Sequence, residues 1–148
     1  MKYIFLIFLS ILMARASMAQ DWGHNYTEAA TAAKKEHKLI LVNFSGSDWC
    51  GPCIRLHKEV FTTDVFIKVA KEKLVLVNAD FPRYKKNQLP ANQQKINESI
   101  AELFNNKGIF PLTVLVNSDG KIIKSWDGFP SSIDDFNEDL QQTIQDNL

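Results

Sequence analysis

The chain holds two cysteines, and they sit together in Trp49-Cys50-Gly51-Pro52-Cys53. On a helix, residues three apart share a face, with Cβ atoms roughly 5–6 Å apart. A disulfide needs Cα atoms about 4.4–6.8 Å apart, so this pair closes and reopens with little backbone movement. So short a loop removes little chain entropy when cross-linked. Reversible thiol–disulfide chemistry is therefore the better use of it, with an inert disulfide as the alternative. Cys50, Cys53 and His57 offer three metal ligands, but structural zinc takes four, often as two spaced pairs, and no second pair exists. Haem attachment needs histidine directly after the second cysteine, where Ile54 stands. No metal and no cofactor are expected.

The elements that must hold this motif can be read on both sides of it. Asn25 followed by Glu28 marks a helix start, continuing through the alanines to about His37. Leu39-Ile40-Leu41-Val42-Asn43-Phe44 is an apolar run of strand length, expected to be buried on both faces. Ser45 to Asp48 turns the chain, and a helix is expected from the cysteines to about Val60. Thr63 and Asp64 restart helix toward Lys73, and Leu74 to Val77 is a second strand.

Phe81 to Asn92, with two prolines and three basic residues, reads as a surface loop. Its cluster Arg83, Lys85, Lys86 is solvated or helps to choose partners. Gln93 to Phe104 places Ile96, Ile100, Leu103 and Phe104 at helical spacing, with Gly108 marking the end. Asn97-Glu98-Ser99 matches a glycosylation triplet but falls inside that helix. Leu112 to Val116 is a strand, Asn117 to Gly120 a turn, and Lys121 to Trp126 a strand returning beside it. Ser131 or Ser132 caps a last helix with Ile133, Phe136, Leu140 and Ile144 on its buried stripe. Strands separated by helices, closed by a hairpin, make an α/β domain: a mixed sheet with helices on both faces and an extra N-terminal helix.

Residues 1–19 have the pattern of a signal peptide. Lys2 precedes an apolar run from Tyr3 to Met13, and Ser17 and Ala19 stand at the positions a signal peptidase reads, giving cleavage before Gln20. The run is short for a membrane span of about 20 residues, so a stable anchor is not expected, an uncleaved one being the alternative. Residues 20–148 suit one domain with its own core. Setting aside Lys2 and Arg15 leaves 15 basic against 17 acidic residues, which gives no electrostatic case for nucleic acid. Export would place the cysteines where oxidation is possible.

Trp49-Cys50-Gly51-Pro52-Cys53 at a strand-to-helix junction resembles the active-site pentapeptide of the thioredoxin superfamily. Phe110-Pro111 before a strand matches the position of the family's cis-proline, and Gly128 matches a family glycine. Asn43-Phe44-Ser45-Gly46-Ser47-Asp48, with Glu59-Val60-Phe61 further on, resembles exported thioredoxin-like proteins of Gram-negative bacteria. The resemblance implies a thioredoxin fold and a dithiol working mainly as a reductant. It departs from the pattern at Asn43, where the family carries a buried aspartate, and near Leu76, where an apolar residue replaces the partner lysine. Proton handling would then fall to water, Asp48 or another group.

On this reading Cys50 is the nucleophile, at the exposed N-terminus of a helix whose dipole favours a thiolate. Cys53, one turn deeper, resolves the mixed disulfide. Gly51 and Pro52 fill the first turn, where proline is tolerated. The resemblance implies that Trp49 shields the motif, and that a cis Pro111 lets the Phe110 backbone bind an extended substrate. It implies disulfide-containing clients, a membrane-embedded thiol donor and a periplasmic location; the lack of an obvious dimerisation domain points to a monomer. An oxidase or isomerase, or a binding module with idle thiols, are the competing functions.

Overall fold

The computed structural model describes residues 20–148; the expected signal segment lies outside them. Five strands, β1 (Trp22–Gly23), β2 (Leu39–Ser45), β3 (Leu74–Asp80), β4 (Leu112–Val116) and β5 (Ile122–Asp127), form one sheet in the order β1-β3-β2-β4-β5. The first three in that order run parallel; β4 and β5 are antiparallel additions. The helices are α1 (Tyr26–Glu36), α2 (Gly51–Leu56), α3 (Asp64–Lys73), α4 (Ala91–Phe104) and α5 (Ile133–Gln145).

Alternation along β2 sends its residues into two cores. Leu39 and Leu41 pack with Leu56, Phe61, Phe66 and Leu140, under α2, α3 and α5. Ile40, Val42 and Phe44 pack with Ala33, Val77 and Ile100, under α1 and α4. Burying each large apolar side chain contributes about 1.5–3 kcal/mol. These two cores, not the small disulfide loop, hold the fold.

Local signals explain the helix ends. The Asn25 side chain accepts the N–H groups of Thr27 at 2.9 Å and Glu28 at 3.4 Å, and its amide donates to Glu28 Oε1 at 3.1 Å. Thr63 and Ser132 cap α3 and α5 in the same way, as one of the two serines was expected to do. Trp126 Nε1 and Lys124 Nζ both donate to Asp139 of α5, tying that helix to β5.

Several expectations need correction. Strand β1 was not foreseen; two residues are too few to show a period. The helix after the cysteines is not uniform: α2 widens into a π-helical stretch over His57–Phe61, which leaves both Val60 and Phe61 fully buried. Strand β3 continues to Asp80, three residues beyond its apolar run. The loop after it contains a 3-10 turn at Lys85–Asn87 and gives way to α4 at Ala91. Leu103, read at helical spacing with the apolar residues of α4, is exposed, while Asn97 is buried. Asn97 points inward because its amide donates to Asp80 O at 2.7 Å, which removes it from consideration as a glycan acceptor. Helix α4 ends at Phe104 on Asn105, whose side chain exchanges hydrogen bonds with the Ile109 backbone; Gly108, with φ of 65°, lies in the loop beyond.

Candidate active site

Strand β2 and the turn Ser45–Trp49 deliver Cys50 to the start of α2. Cys50 has extended backbone (φ −96°, ψ 95°) and is the N-cap residue, and its Sγ accepts the N–H of Cys53 at 3.3 Å. Proline is compatible with the first turn because its missing N–H would have had no intrahelical partner. The cysteines are joined: the Cys50–Cys53 disulfide has a Cα separation of 5.2 Å. The sulfur in this position replaces the usual capping oxygen, at a helix end where N–H groups and the dipole favour negative charge.

The expectation of an exposed Cys50 is corrected: it is 5% exposed, against 3% for Cys53. Its side chain folds back over the first turn to reach the Cys53 N–H and Sγ instead of pointing outward. Gly51 and Pro52 beside it are exposed. A Cβ added to Gly51 would meet nothing within 4 Å, so this flank of the disulfide is open to an approaching chain.

Trp49 is held from several sides. Its Nε1 donates to Phe81 O at 2.7 Å. The Phe110 ring meets it edge-on at 5.4 Å, and the Arg83 guanidinium lies 3.6 Å from the Trp49 ring centroid. Its ring also presses on Gly46, where a Cβ would come within 2.2 Å of the indole. Gly46 is thus required by close approach, which its reading as a simple turn residue missed. Phe110 also contacts Phe81 edge-on at 5.5 Å, so two further aromatic rings follow on from Trp49. The Phe110–Pro111 bond is cis. Gly128, with φ of 79°, donates its N–H to Pro111 O at 2.9 Å.

Beneath the turn, on the α2 face of the sheet, the strands change from apolar to polar. Asn43 pairs in register with Asn78, not with Leu76, which stands opposite Leu41. The expected partner position is corrected accordingly. Asn43 Nδ2 donates to Asn78 Oδ1 at 3.0 Å, and Thr113 Oγ1 donates to Asn43 Oδ1 at 3.5 Å. The Ser45 hydroxyl lies 3.1 Å from both Asn78 Oδ1 and Asp80 Oδ1. Asp80 also accepts the Ser47 N–H at 2.8 Å and the Ser47 hydroxyl at 2.6 Å. Asn78 and Asp80 lie beyond the apolar run from which the strand was read, so neither was singled out in the sequence.

Asp48 faces the other way. Its carboxylate accepts the N–H groups of Arg83 at 2.8 Å and Tyr84 at 2.9 Å, and the Asn87 amide at 3.0 Å. Desolvation alone would raise this carboxyl, but these donors outweigh it and hold it below its ordinary value of 3.8. Its oxygens are thus engaged with the loop after β3. Among the described residues no group of three or more His, Cys, Asp and Glu side chains is placed to hold a metal. The ring of His57 instead faces Trp22 and Phe61, at 6.4 and 6.5 Å.

A family model described as Thioredoxin-like matches residues 21–118. The chain belongs to this thioredoxin-like family. It is similar to the disulfide bond reductase DsbH of Chlamydia pneumoniae, with 34% identity over 97 residues, 66% of this chain and 57% of the relative. It is also similar to the thioredoxin-related protein DsbJ of the same organism, with 36% identity over 75 residues, 51% of this chain and 22% of the relative. The chain thus spans little more than half of DsbH and under a quarter of DsbJ. A solved structure of a DsbH oxidoreductase superposes with a TM-score of 0.74 at 26% identity, covering 91% of this chain and 92% of the other. The thioredoxin fold expected from the pentapeptide is the fold observed, with the added β1 and α1 at its N-terminal side.

Proposed function

We propose that this thioredoxin-like protein is a thiol–disulfide oxidoreductase that reduces disulfides of client proteins. The observation that carries this reading is the closed Cys50–Cys53 pair at the start of α2, with the Cys50 sulfur already accepting a helix N–H. In the dithiol form, the Cys50 thiolate attacks one sulfur of a client disulfide, forming a mixed disulfide and releasing one client thiolate. Cys53, one turn deeper, then loses its proton and attacks Cys50 Sγ. The second client thiolate leaves, the Cys50–Cys53 disulfide re-forms, and two electrons have passed to the client.

The similarity to a disulfide bond reductase supports the reducing direction. Trp49, Gly51 and Pro52 frame the attacking sulfur, and Asn43 and Asp48 hold the strand end and turn behind it. Phe110 and Pro111 line the approach, where an extended client segment would lie along the backbone before β4. Export by residues 1–19 would place residues 20–148 in the periplasm as a monomer, re-reduced by a membrane-embedded thiol donor. Among the described residues no helix is long and apolar enough to cross a membrane.

The test is insulin reduction with dithiothreitol as electron source. Cys50→Ser abolishes turnover, and Cys53→Ser, reduced and freed of dithiothreitol before insulin is added, accumulates mixed disulfides visible on a non-reducing gel. Turnover by either variant at the unmodified rate would refute the assignment.

A further inference from the structure

The loop after β3 is built into the active site by a reciprocal clamp. From the β3 end, Asp80 holds Ser47 of the motif turn, and the Phe81 N–H donates to Ser45 O at 2.8 Å. From the motif turn, Asp48 holds the backbone of Arg83 and Tyr84, and Trp49 donates to Phe81 O. The clamp ties the two segments together and seats the Arg83 guanidinium on the ring of Trp49, the residue before Cys50.

What it presents is positive charge. Arg83, Lys85 and Lys86 are exposed, and none takes part in the ion pairs found among the described residues. The Arg83 guanidinium is spread over Trp49, and Tyr84 between the cations is 57% exposed. Asp80, the nearest acid in the chain, and Asp48, bonded to the Arg83 and Tyr84 backbone, keep their charge, but their oxygens are turned to the neutral donors of the clamp, and the three cations outnumber them. The domain as a whole carries more acidic than basic residues, so this patch stands against the general charge.

We propose that the Arg83–Lys86 loop is a specificity element that selects client disulfides flanked by acidic residues. The inference rests on the reductase reading above and names its substrate class. A client chain entering along the open Gly51 flank and the Phe110 rim passes Trp49 and the Arg83 guanidinium on its ring, with Lys85 and Lys86 two and three residues further along the exposed loop. At physiological salt, charges further apart than about 8 Å are largely screened, so selection acts on residues close to the client disulfide. A lipid surface is disfavoured as the target, because anionic-lipid recognition uses clusters of about 4–8 basic residues.

The experiment compares kcat/KM for three synthetic peptides carrying the same disulfide, flanked by aspartates, by serines or by lysines. Wild type prefers the acidic over the basic peptide by roughly tenfold at low salt, and 0.5 M NaCl removes the preference. Lys85→Glu with Lys86→Glu reverses the order, and Lys85→Gln with Lys86→Gln levels it. Equal rates for all three peptides in the wild type would overturn the proposal while leaving the reductase reading intact. No turnover of any peptide would refute that reading instead. Flotation with phosphatidylglycerol vesicles that is lost in the double variants, with the peptide order unchanged, would assign the patch to lipid and overturn the proposal.

Discussion

Strands β2 and β3 present two different faces over the same few residues. Toward α1 and α4 they show Val42, Phe44, Val77 and Ala79, all fully buried. Toward α2 they show Leu41 and Leu76, then Asn43, Ser45, Asn78 and Asp80, joined by hydrogen bonds up to the motif turn. Both faces hold the sheet. The first does so by area removed from water. The second spends its last positions on groups that must be paired when buried, and those groups set the turn that carries Trp49 and Cys50. On this face the paired polar groups lie directly beneath the turn that carries Cys50.

The sharpest way to break the comparison is on the apolar face. Phe44→Ala should lower unfolding free energy by about 3–5 kcal/mol, measured by urea denaturation. The rate of insulin reduction per folded molecule should stay unchanged. A changed rate at full folding would mean that the two faces do not divide their tasks. On the polar face, Asn78→Ala strands the Asn43 amide and should cost about 1–3 kcal/mol. Here the second-order rate of Cys50 alkylation at neutral pH should change as well. A stability loss with unaltered thiol reactivity would reduce the network to a structural role.

The smallest effect concerns the clamp. The Asp48 carboxyl is held below its ordinary value of 3.8 in the fold. A carboxyl depressed by folding stabilises in full above its unfolded value, and that contribution fades as pH falls through the folded one. Wild type should therefore lose stability relative to Asp48→Asn as pH falls below about 4, followed by thermal melts across the acid range. Parallel curves would show that the Asp48 bonds are not coupled to folding.

Much of this was legible in the sequence for identifiable reasons. Asn25, Thr63 and Ser132 announce helices because a capping oxygen satisfies N–H groups that have no other partner. The run Leu112–Val116 is a strand with the bounds its apolar residues suggest. The pentapeptide identified both cysteines, and the two sulfurs meet. What escaped depends on register and depth. Nothing in the run Leu39–Phe44 says that Asn43 faces Asn78 and not Leu76; only the parallel pairing does. Asn97 turns inward to donate to the Asp80 carbonyl, while Leu103 stands exposed. Asp80 and Gly46 matter through one carboxylate's partners and one ring's position, which leave no periodic trace. Cys50 was expected in the open because helix starts usually are, yet as a cap its side chain turns inward.

A redox titration of the Cys50–Cys53 pair against dithiothreitol and glutathione tests the reductase assignment most directly. A reductant of client disulfides should titrate as a two-electron couple at a strongly reducing potential, near the value of about −270 mV known for thioredoxin. A potential near −120 mV, that of a strong disulfide donor, or a pair that does not re-form its disulfide reversibly, would contradict the account.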